Sequence, residues 1–305
     1  MTPAISLWAG HDTVTVDALT ERVQAAADLG IPGVWVPQTA ALDTLTALAV
    51  VADRVPDIAV GSAVVPIQGR HPIALALQAL TLADVAGADR VTLGIGVTHK
   101  PVSEGWFGIP YADVVGLAAE TLEVLEALLA PERTAAVEGE HLTARITLGM
   151  PVAPPGMVVA ALGPKMLDLA GRHSDGTVTW MTGPVALERD VVPRLASAAE
   201  TAGRRAPRVI VGLPVCVTDD VAGARERLAP MMAGPVHMDS YRRMVEAEGI
   251  ADPVDLVVLG DEDTVAARIE GLADAGATEL LANVVGEPGE RLRTLDLLAR
   301  LTRSS

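Results

Sequence analysis

The sequence predicts a single α/β domain over residues 1–305 with the architecture of a (β/α)8 barrel, the TIM barrel. Short apolar runs rich in β-branched residues alternate with longer amphipathic segments, which is the pattern of repeated βα units. Eight such units can be counted, and no long polar linker divides the chain. Hydrophobic residues make up 50% of the sequence, which is sufficient for one large core.

The predicted elements alternate regularly along the chain. The predicted strands cover residues 4–8, 33–36, 57–64, 90–96, 157–162, 175–180, 208–217 and 279–285. The predicted helices cover residues 16–29, 42–53, 71–86, 113–129, 164–171, 184–202, 261–275 and 286–301. Apolar residues of the segment 113–129 recur at helical spacing, and Gly30, Gly203 and Gly276 follow their helices as C-terminal caps.

Two segments interrupt this alternation and are predicted to be insertions at the mouth of the barrel. Residues 131–156 have the pattern of a β-hairpin-like excursion before the fifth strand. Residues 219–259 follow the seventh strand and contain two helical stretches separated by prolines and a glycine. Because the C-terminal strand ends of a barrel surround its reaction site, this second segment is predicted to be a lid. A simple helical excursion is the alternative.

Composition and charge limit the function classes. The chain carries 39 acidic against 23 basic residues, a formal net charge of −16, so its surface repels nucleic acid and anionic lipid. Its apolar runs fall far short of the ~20 residues of a membrane-spanning helix, and the pattern of an export signal is not seen. Cys216 is the only cysteine, which excludes an internal disulfide. We therefore expect a cytoplasmic protein with a small-molecule substrate.

The segment 90–108 carries the strongest indication of chemistry. It begins as an apolar strand and continues through Gly94, Gly96, His99 and Glu104. Strands of α/β barrels present functional residues at their C-terminal ends, and glycines there allow a flat ligand to approach the backbone. Histidine titrates near neutral pH. This combination predicts an active site with His99 as its catalytic residue.

Two further strand ends contribute candidates. After the fifth strand, Gly163 and Pro164 open a helix whose free amides, together with Lys165, favour an anion; an ordinary βα turn is the alternative. Trp8 and Trp180 end the first and sixth strands. They either form a wall for a flat heterocycle or pack at the rim of the barrel.

The sequence contains no motif for a metal, a nucleotide phosphate or a nucleophilic serine. No His, Asp and Glu set has the spacing of metal ligands, and neither Gly-x-x-x-x-Gly-Lys-Ser/Thr nor Gly-x-Ser-x-Gly occurs. The pair Gly94 and Gly96 lacks the third glycine of a dinucleotide-binding fingerprint. An organic cofactor would therefore have to supply the chemistry.

Several segments resemble the luciferase-like monooxygenase superfamily, and in particular its branch of coenzyme F420-dependent oxidoreductases. The segments are LDTLTALA at 42–49, GSAVVP at 61–66 with RHP at 70–72, LGIGVTH at 93–99, EGWFG at 104–108, AALGPKM at 160–166 and DGTVTWMTGP at 175–184. They fall at successive strand ends and cover nearly the whole chain. The resemblance implies a barrel that binds the deazaflavin F420, or alternatively FMN, at its mouth.

Matching this chain to the family residue by residue implies the position of the cofactor. A non-prolyl cis peptide that backs the cofactor ring falls at Ala63–Val64. Gly96 is also predicted to bind the cofactor, because a flat ligand can approach the backbone of a glycine closely. The implied contacts of the cofactor phosphate are Leu162, Gly163, Lys165 and Met166.

The chain departs from the F420-dependent sugar-phosphate dehydrogenases that it resembles. His99 falls where those enzymes place an acid near the reacting carbon. Gln38 replaces their histidine after the second strand, and Gly183 stands at the position of their lysine for the substrate phosphate. Oxidation of a sugar phosphate is therefore not expected for this chain.

The resemblance and these departures predict an enzyme that transfers a hydride between C5 of F420 and a small organic substrate, as a reductase of an enone- or imine-type group. His99 either donates the proton or makes a neutral hydrogen bond. The residues predicted to shape the substrate pocket are Trp8, Gln38, Trp106 and Trp180. A reduced-FMN monooxygenase is the first alternative and a non-catalytic flavin-binding barrel is the second. The resemblance also implies a homodimer.

Overall fold

The structure, a computed structural model, describes residues 2–10 and 13–304 and contains a closed barrel of eight parallel strands. In chain order the barrel strands are β1 (Ala4–Trp8), β2 (Gly33–Val36), β3 (Ala59–Ser62), β4 (Val91–Gly96), β5 (Gly156–Ala160), β6 (Gly176–Trp180), β7 (Arg208–Val217) and β8 (Glu279–Val284). Each strand pairs with its neighbours in this order, and β8 pairs with β1. The predicted (β/α)8 barrel is confirmed.

Helices alternate with the strands and surround the barrel. They are α1 (Val16–Asp28), α2 (Thr44–Arg54), α3 (Pro72–Ala86), α4 (Val114–Leu129), α5 (Pro164–His173), α6 (Val192–Thr201), α7 (Glu262–Asp274) and α8 (Pro288–Ser304). The short helix Pro184–Ala186 and a π-helical turn, Leu187–Val191, lead directly into α6. Gly30, Gly203 and Gly276 have positive φ angles after their helices, so the predicted caps are confirmed. Within the described residues, no helix has both the length and the apolar character needed to cross a membrane.

The inside of the barrel is filled by large side chains. Trp35, Val158, Val178, Ile210 and Leu281 form one buried cluster there. Aliphatic residues of the strands and helices form the larger core between the two layers. Removing this apolar surface from water stabilises the fold by roughly 25 cal/mol per Å². The filled interior leaves only the mouth of the barrel open for a ligand.

A polar cluster lies at the N-terminal ends of the last two strands, away from the mouth. The buried carboxylate of Glu279 accepts hydrogen bonds from Ser6 Oγ at 2.6 Å, Trp35 Nε1 at 3.1 Å and Arg208 Nη2 at 2.7 Å. The Arg208 guanidinium also lies 5.7 Å from the centroid of the Trp35 ring. A buried carboxylate needs such partners to offset its lost hydration. At this end of a barrel the cluster serves stability.

The third strand ends earlier than predicted. The expected run 57–64 is regular only as far as Ser62, the peptide bond Ala63–Val64 is cis, and Val65–Pro66 then pairs with β4. Gly94 of β4 allows this path, because a Cβ there would lie 1.9 Å from the carbonyl oxygen of Ser62. The cis bond that the resemblance implied is therefore present at the mouth.

The first insertion is the predicted antiparallel hairpin, with strands Thr134–Glu138 and Thr143–Thr147. Its turn is fastened to α4, because the Glu120 carboxylate accepts hydrogen bonds from the amides of Glu140 at 2.8 Å and His141 at 2.9 Å. The hairpin tip thus reaches the mouth end of the barrel, but residues 131–156 do not line the cavity described below.

The second insertion consists of the helices Val221–Ala233 and Asp239–Glu248. Pro230 lies inside the first of them, although the sequence predicted that it would separate the two. The helix nevertheless continues to Ala233, although a proline at this position cannot donate a hydrogen bond to the carbonyl of Glu226. We call Asp239–Glu248 the cover helix, since its side chains lie over the mouth of the barrel as predicted.

Candidate active site

A cavity of about 1170 Å³ opens at the C-terminal ends of the barrel strands. Its wall includes the ends of β1, β5 and β6, the segments that follow β2, β3 and β4, and the cover helix. Ligand pockets commonly measure ~300–1,000 Å³. This cavity therefore has room for a cofactor and a substrate together.

Most of the predicted site residues meet at this cavity. They are Trp8, Gln38, Ala63, Val64, His99, Trp106, Leu162, Gly163, Lys165, Met166 and Trp180. Gly96 instead lies behind the wall. A Cβ on Gly96 would lie 2.8 Å from the Cβ of Ala160 and 3.1 Å from a methyl group of Val64. Gly96 thus supports the cavity floor by letting those two side chains close over it.

The inner end of the cavity is lined by small apolar side chains. Ala63, Val64 and Ala160 contribute small aliphatic side chains there and pack against the cluster that fills the barrel. The rings of Trp8 and Trp180 lie beside them, with centroids 5.2 Å apart and planes inclined at 33°. This arrangement can accept a planar heterocycle against the floor with aromatic side chains at its edge.

Gln38 lines the cavity but uses its polar atoms to hold a loop. Its Nε2 donates to the carbonyl oxygens of Thr39 at 3.0 Å and Leu42 at 2.9 Å. Its Oε1 accepts from the amide of Thr44 at 3.0 Å and from Arg70 Nη2 at 3.2 Å. The predicted pocket residue therefore orders the loop before α2 and presents no free amide to a ligand.

His99 faces the cavity from the end of β4. It precedes a short helix, Lys100–Gly105, which the sequence analysis missed although Pro101 is a typical first-turn residue. The His99 side chain does not cap this helix, so its ring remains available to a ligand. Burial lowers the pKa of His99 below its ordinary value of 6.5. The neutral imidazole is therefore the main form at neutral pH.

Tyr241 of the cover helix lies beside His99. The two ring centroids are 5.5 Å apart, and the ring planes are inclined at 57°. Burial raises the pKa of Tyr241 to about 12, so the phenol stays protonated throughout the usual pH range. Sequence reasoning missed Tyr241, although a tyrosine is conspicuous in a chain that has only two.

Glu104 does not join this group. Its carboxylate accepts hydrogen bonds from Lys100 Nζ at 2.5 Å and from the amide of Tyr111 at 3.2 Å. The hydrogen bond from Lys100 is the main cause that lowers the pKa of Glu104. Glu104 therefore stabilises the exposed helix after His99 and is not part of the cavity wall.

The start of α5 can bind an anion. Gly163 occupies the N-cap position without a side-chain cap, so the first amides of the helix have no partner from a capping side chain. Lys165 and Arg243 line the cavity near this point. A Cβ on Gly163 would lie 3.8 Å from Nη2 of Arg243. Open amides, the helix dipole and two cationic side chains together suit a phosphate group.

The start of the helix after β6 is closed by a protein carboxylate. Glu248, at the end of the cover helix, accepts hydrogen bonds from the amides of Val185 at 3.2 Å and Ala186 at 3.0 Å. Its carboxylate lies over Gly183, where a Cβ would come within 2.4 Å of it. Glu248 thereby fastens the cover helix to the barrel. Sequence reasoning missed this contact because it joins two distant segments.

The chemistry of this site calls for an organic group. Across residues 2–10 and 13–304, no three His, Cys, Asp or Glu side chains come together as ligands for a metal ion. The cavity offers instead an apolar floor, an open helix start and the His99–Tyr241 pair. These features fit a planar redox cofactor with an anionic tail, placed so that its ring lies near a titratable side chain.

Comparison with known proteins identifies the family. Residues 2–279 match the family described as luciferase-like monooxygenase. A Mycobacterium tuberculosis protein assigned as a coenzyme F420-dependent oxidoreductase is 27% identical to this chain over 335 residues, covering 91% of this chain and 93% of the relative. The F420-dependent glucose-6-phosphate dehydrogenase of Kineococcus radiotolerans is 26% identical over 262 residues, covering 80% and 77% of the two chains.

Solved structures share the fold at lower identity. An F420-dependent secondary alcohol dehydrogenase in complex with an F420-acetone adduct superposes with a TM-score of 0.84 and 17% identity, covering 99% of this chain and 100% of the other. The oxygenating constituent of 3,6-diketocamphane monooxygenase from Pseudomonas putida, in complex with FMN, gives a TM-score of 0.79 and 19% identity, covering 100% and 99%. The match over residues 2–279 shows that the chain belongs to the luciferase-like monooxygenase family.

Proposed function

We propose that this protein is an F420-dependent oxidoreductase that reduces an enone- or imine-type group of a small organic substrate. The observation that carries the proposal is the cavity itself, which joins an apolar floor to a helix start with open amides and two cationic side chains. The curated relatives of M. tuberculosis and K. radiotolerans, which are F420-dependent by name, favour F420 over FMN.

The ring of the cofactor fits the floor of the cavity. Ala63, Val64 and Ala160 offer a surface without polar side chains, and Trp8 and Trp180 border it. A planar heterocycle can lie against this surface and leave its other face open to the substrate. The rigid strand ends hold the floor in place, so they contribute to the rate through proximity and orientation.

The tail of the cofactor fits the start of α5. The backbone at Gly163, Lys165 and Met166 supplies amides of the first helical turn, and the Lys165 side chain adds a positive charge. Arg243 extends this positive region onto the cover helix. F420 carries carboxylates beyond its phosphodiester, so a second cation beyond the helix start suits its tail.

His99 is the proposed proton donor. When bound, the reduced deazaflavin would supply a hydride from C5 to the substrate carbon. The reduction also consumes one proton, and the protonated form of His99 delivers it to the substrate atom that receives negative charge. Because burial lowers the pKa of His99, the imidazolium releases its proton readily. The phenol of the neighbouring Tyr241 keeps its proton, so a second hydrogen-bond donor is available beside His99.

A titration of the purified protein with oxidised F420 and, separately, with FMN tests the proposal. F420 is expected to bind at least about tenfold more tightly than FMN, a difference of ~1.4 kcal/mol. Tighter binding of FMN, with oxygen-dependent turnover of reduced FMN, would identify the monooxygenase alternative. Binding of neither compound would remove the basis of the proposed function.

A further inference from the structure

The aromatic residues of this chain are few, and nearly all of them lie at the cavity. The chain has four tryptophans, two tyrosines and one phenylalanine. Every one of these except Trp35, which fills the barrel interior, lines the cavity. The rest of the core is built from aliphatic side chains, so packing alone does not require this concentration. Aromatic side chains bind flat ligands by offset stacking and edge contacts.

Aromatic side chains line the cavity both at its inner end and at its solvent-exposed rim. Trp8 and Trp180 lie at the inner end, with ring centroids 5.2 Å apart. Trp106 and Phe107 lie at the rim, where they are 60% and 42% exposed. The Phe107 ring is adjacent to Gly69, where a Cβ would lie 3.1 Å from it. Exposed large apolar residues at the edge of a pocket are typical of a binding surface.

The wall of the cavity contains few charged residues. The charged lining residues are Asp43, Arg70, Lys165 and Arg243. Asp43 and Arg70 pair with each other. Lys165 and Arg243 form no ion pair with a carboxylate in the described part of the chain, and both lie near the start of α5, where the cofactor tail is proposed. The remaining wall offers a substrate no free charge.

Glu248 occupies a second helix start, which without it could bind an anionic group. The amides of Val185 and Ala186 already donate to its carboxylate. A phosphate brought to this helix start would meet a negative charge and find both amides occupied. The space beside Gly183 is filled by the same carboxylate. This position therefore rejects a phosphorylated substrate.

We infer that the substrate is an uncharged, extended molecule whose carbonyl-type reacting group is conjugated to an aromatic or polycyclic body. The inference rests on the proposed function of the same site. The reacting group lies between the floor and His99, and the body follows the aromatic wall from Trp8 and Trp180 toward Trp106 and Phe107. Burial of the flat apolar body provides the binding free energy, since the wall offers no charge for recognition.

Calorimetric titration with three probes tests this substrate class on the protein saturated with oxidised F420. The probes are 2-benzylidene-1-tetralone, in which an enone joins two aromatic systems, cyclohexenone, and glucose 6-phosphate. The tetralone is expected to bind at least about tenfold more tightly than cyclohexenone. Glucose 6-phosphate is expected to bind more weakly than either. Equal affinity for the two enones, or tighter binding of the sugar phosphate, overturns the inference.

A double variant at the rim tests where the aromatic body binds. Trp106→Ala with Phe107→Ala removes exposed rings and spares the core, so the protein should fold. The ratio of tetralone to cyclohexenone affinity is expected to fall at least about fivefold. Leu292→Ala is the matched control, because Leu292 is a 65% exposed apolar residue on α8, outside the cavity; its ratio should equal the wild-type value. An unchanged ratio in the double variant overturns the inference.

The same titrations on cofactor-free protein separate the two proposals. Suppose that F420 does not bind, but the wild-type protein still prefers the tetralone and the rim variant does not. The proposed function is then wrong and the substrate class stands. If F420 binds and the preference is absent, the substrate class is wrong and the proposed function stands.

Discussion

The ring of Tyr241 lies 5.5 Å from the ring of His99, so the mouth of the barrel brings a phenol beside an imidazole. His99 comes from the end of β4, whereas Tyr241 comes from the cover helix, and the pair exists only when that helix lies over the mouth. Burial lowers the pKa of His99 and raises the pKa of Tyr241 to about 12. At neutral pH the phenol therefore holds its proton while the imidazole is mainly neutral.

The proton-donor role of His99 predicts a reduction that accelerates as the pH falls. Only the protonated imidazole donates, and burial places its pKa below 6.5. The donor form is therefore scarce at neutral pH and becomes abundant only as the pH is lowered through the folded-state pKa. In the oxidation direction the neutral imidazole accepts the proton, so kcat for oxidation should decrease as the pH falls. Steady-state kcat measured against pH in both directions checks this prediction.

Replacement of His99 is the control for the predicted pH dependence of kcat. His99→Ala should lower kcat for reduction about 10²-fold and abolish its pH dependence. The dissociation constant of F420 should stay within about twofold of wild type, because His99 is not among the residues proposed to hold the tail. Turnover at the wild-type rate would contradict a catalytic role. A pH-independent wild-type kcat would support the neutral hydrogen-bond role instead.

Tyr241 is expected to assist His99 through its hydroxyl group. Tyr241→Phe keeps the ring beside His99 but removes the donor, and kcat should fall about tenfold, the loss expected for one hydrogen bond to a charged group. The pH dependence should persist, because His99 remains the titrating group. Tyr241→Ala should also admit water and raise the pKa of His99 toward 6.5. An unchanged kcat in Tyr241→Phe would show that the hydroxyl group does not contribute to the rate.

Lys165 and Arg243 are expected to hold the cofactor tail. Lys165→Ala and Arg243→Ala should each weaken F420 binding about tenfold, and this loss should shrink at high salt because the contact is electrostatic. Fluorescence titration at two salt concentrations measures both effects. Arg242→Ala is the matched control, because Arg242 lies on the same helix and pairs with Asp239 and Glu246. Equal losses in the Arg242 and Arg243 variants would contradict the specific contact.

Glu279 should be important for stability. Glu279→Ala leaves Ser6, Trp35 and Arg208 without their common acceptor and should lower the free energy of unfolding by about 3 kcal/mol. Urea denaturation followed by circular dichroism gives this value. Glu200→Ala, at an exposed position of α6, should change the free energy of unfolding by less than about 0.5 kcal/mol. A Glu279 variant as stable as the control would contradict this account.

The barrel could be predicted because its signals are local. Apolar β-branched runs, amphipathic helices and glycine caps each depend on a few neighbouring residues. The end of β3 could not be predicted from its own sequence, because it depends on how Ser62 packs against Gly94 of another strand. Pro230 is a second example, because a proline ends most helices but the helix Val221–Ala233 continues through it.

The candidate site could be predicted where it lies at strand ends. His99, Gly163 and Lys165 follow barrel strands, and the topology alone brings such positions together. Tyr241 and Arg243 belong to an insertion whose docking depends on tertiary contacts, so no local pattern indicated their place at the mouth. Gln38 also follows a barrel strand, but its position did not predict its role. Its amide group is used up by hydrogen bonds to the loop that follows it.

A crystal structure of the protein with bound F420 would locate both the ring and the tail of the cofactor. We expect the deazaflavin ring to lie against Ala63 and Val64 with one face toward His99. We also expect the phosphate to accept hydrogen bonds from the amides after Gly163. A ring bound elsewhere in the cavity, or a tail directed away from the start of α5, would show that the proposed cofactor site is wrong.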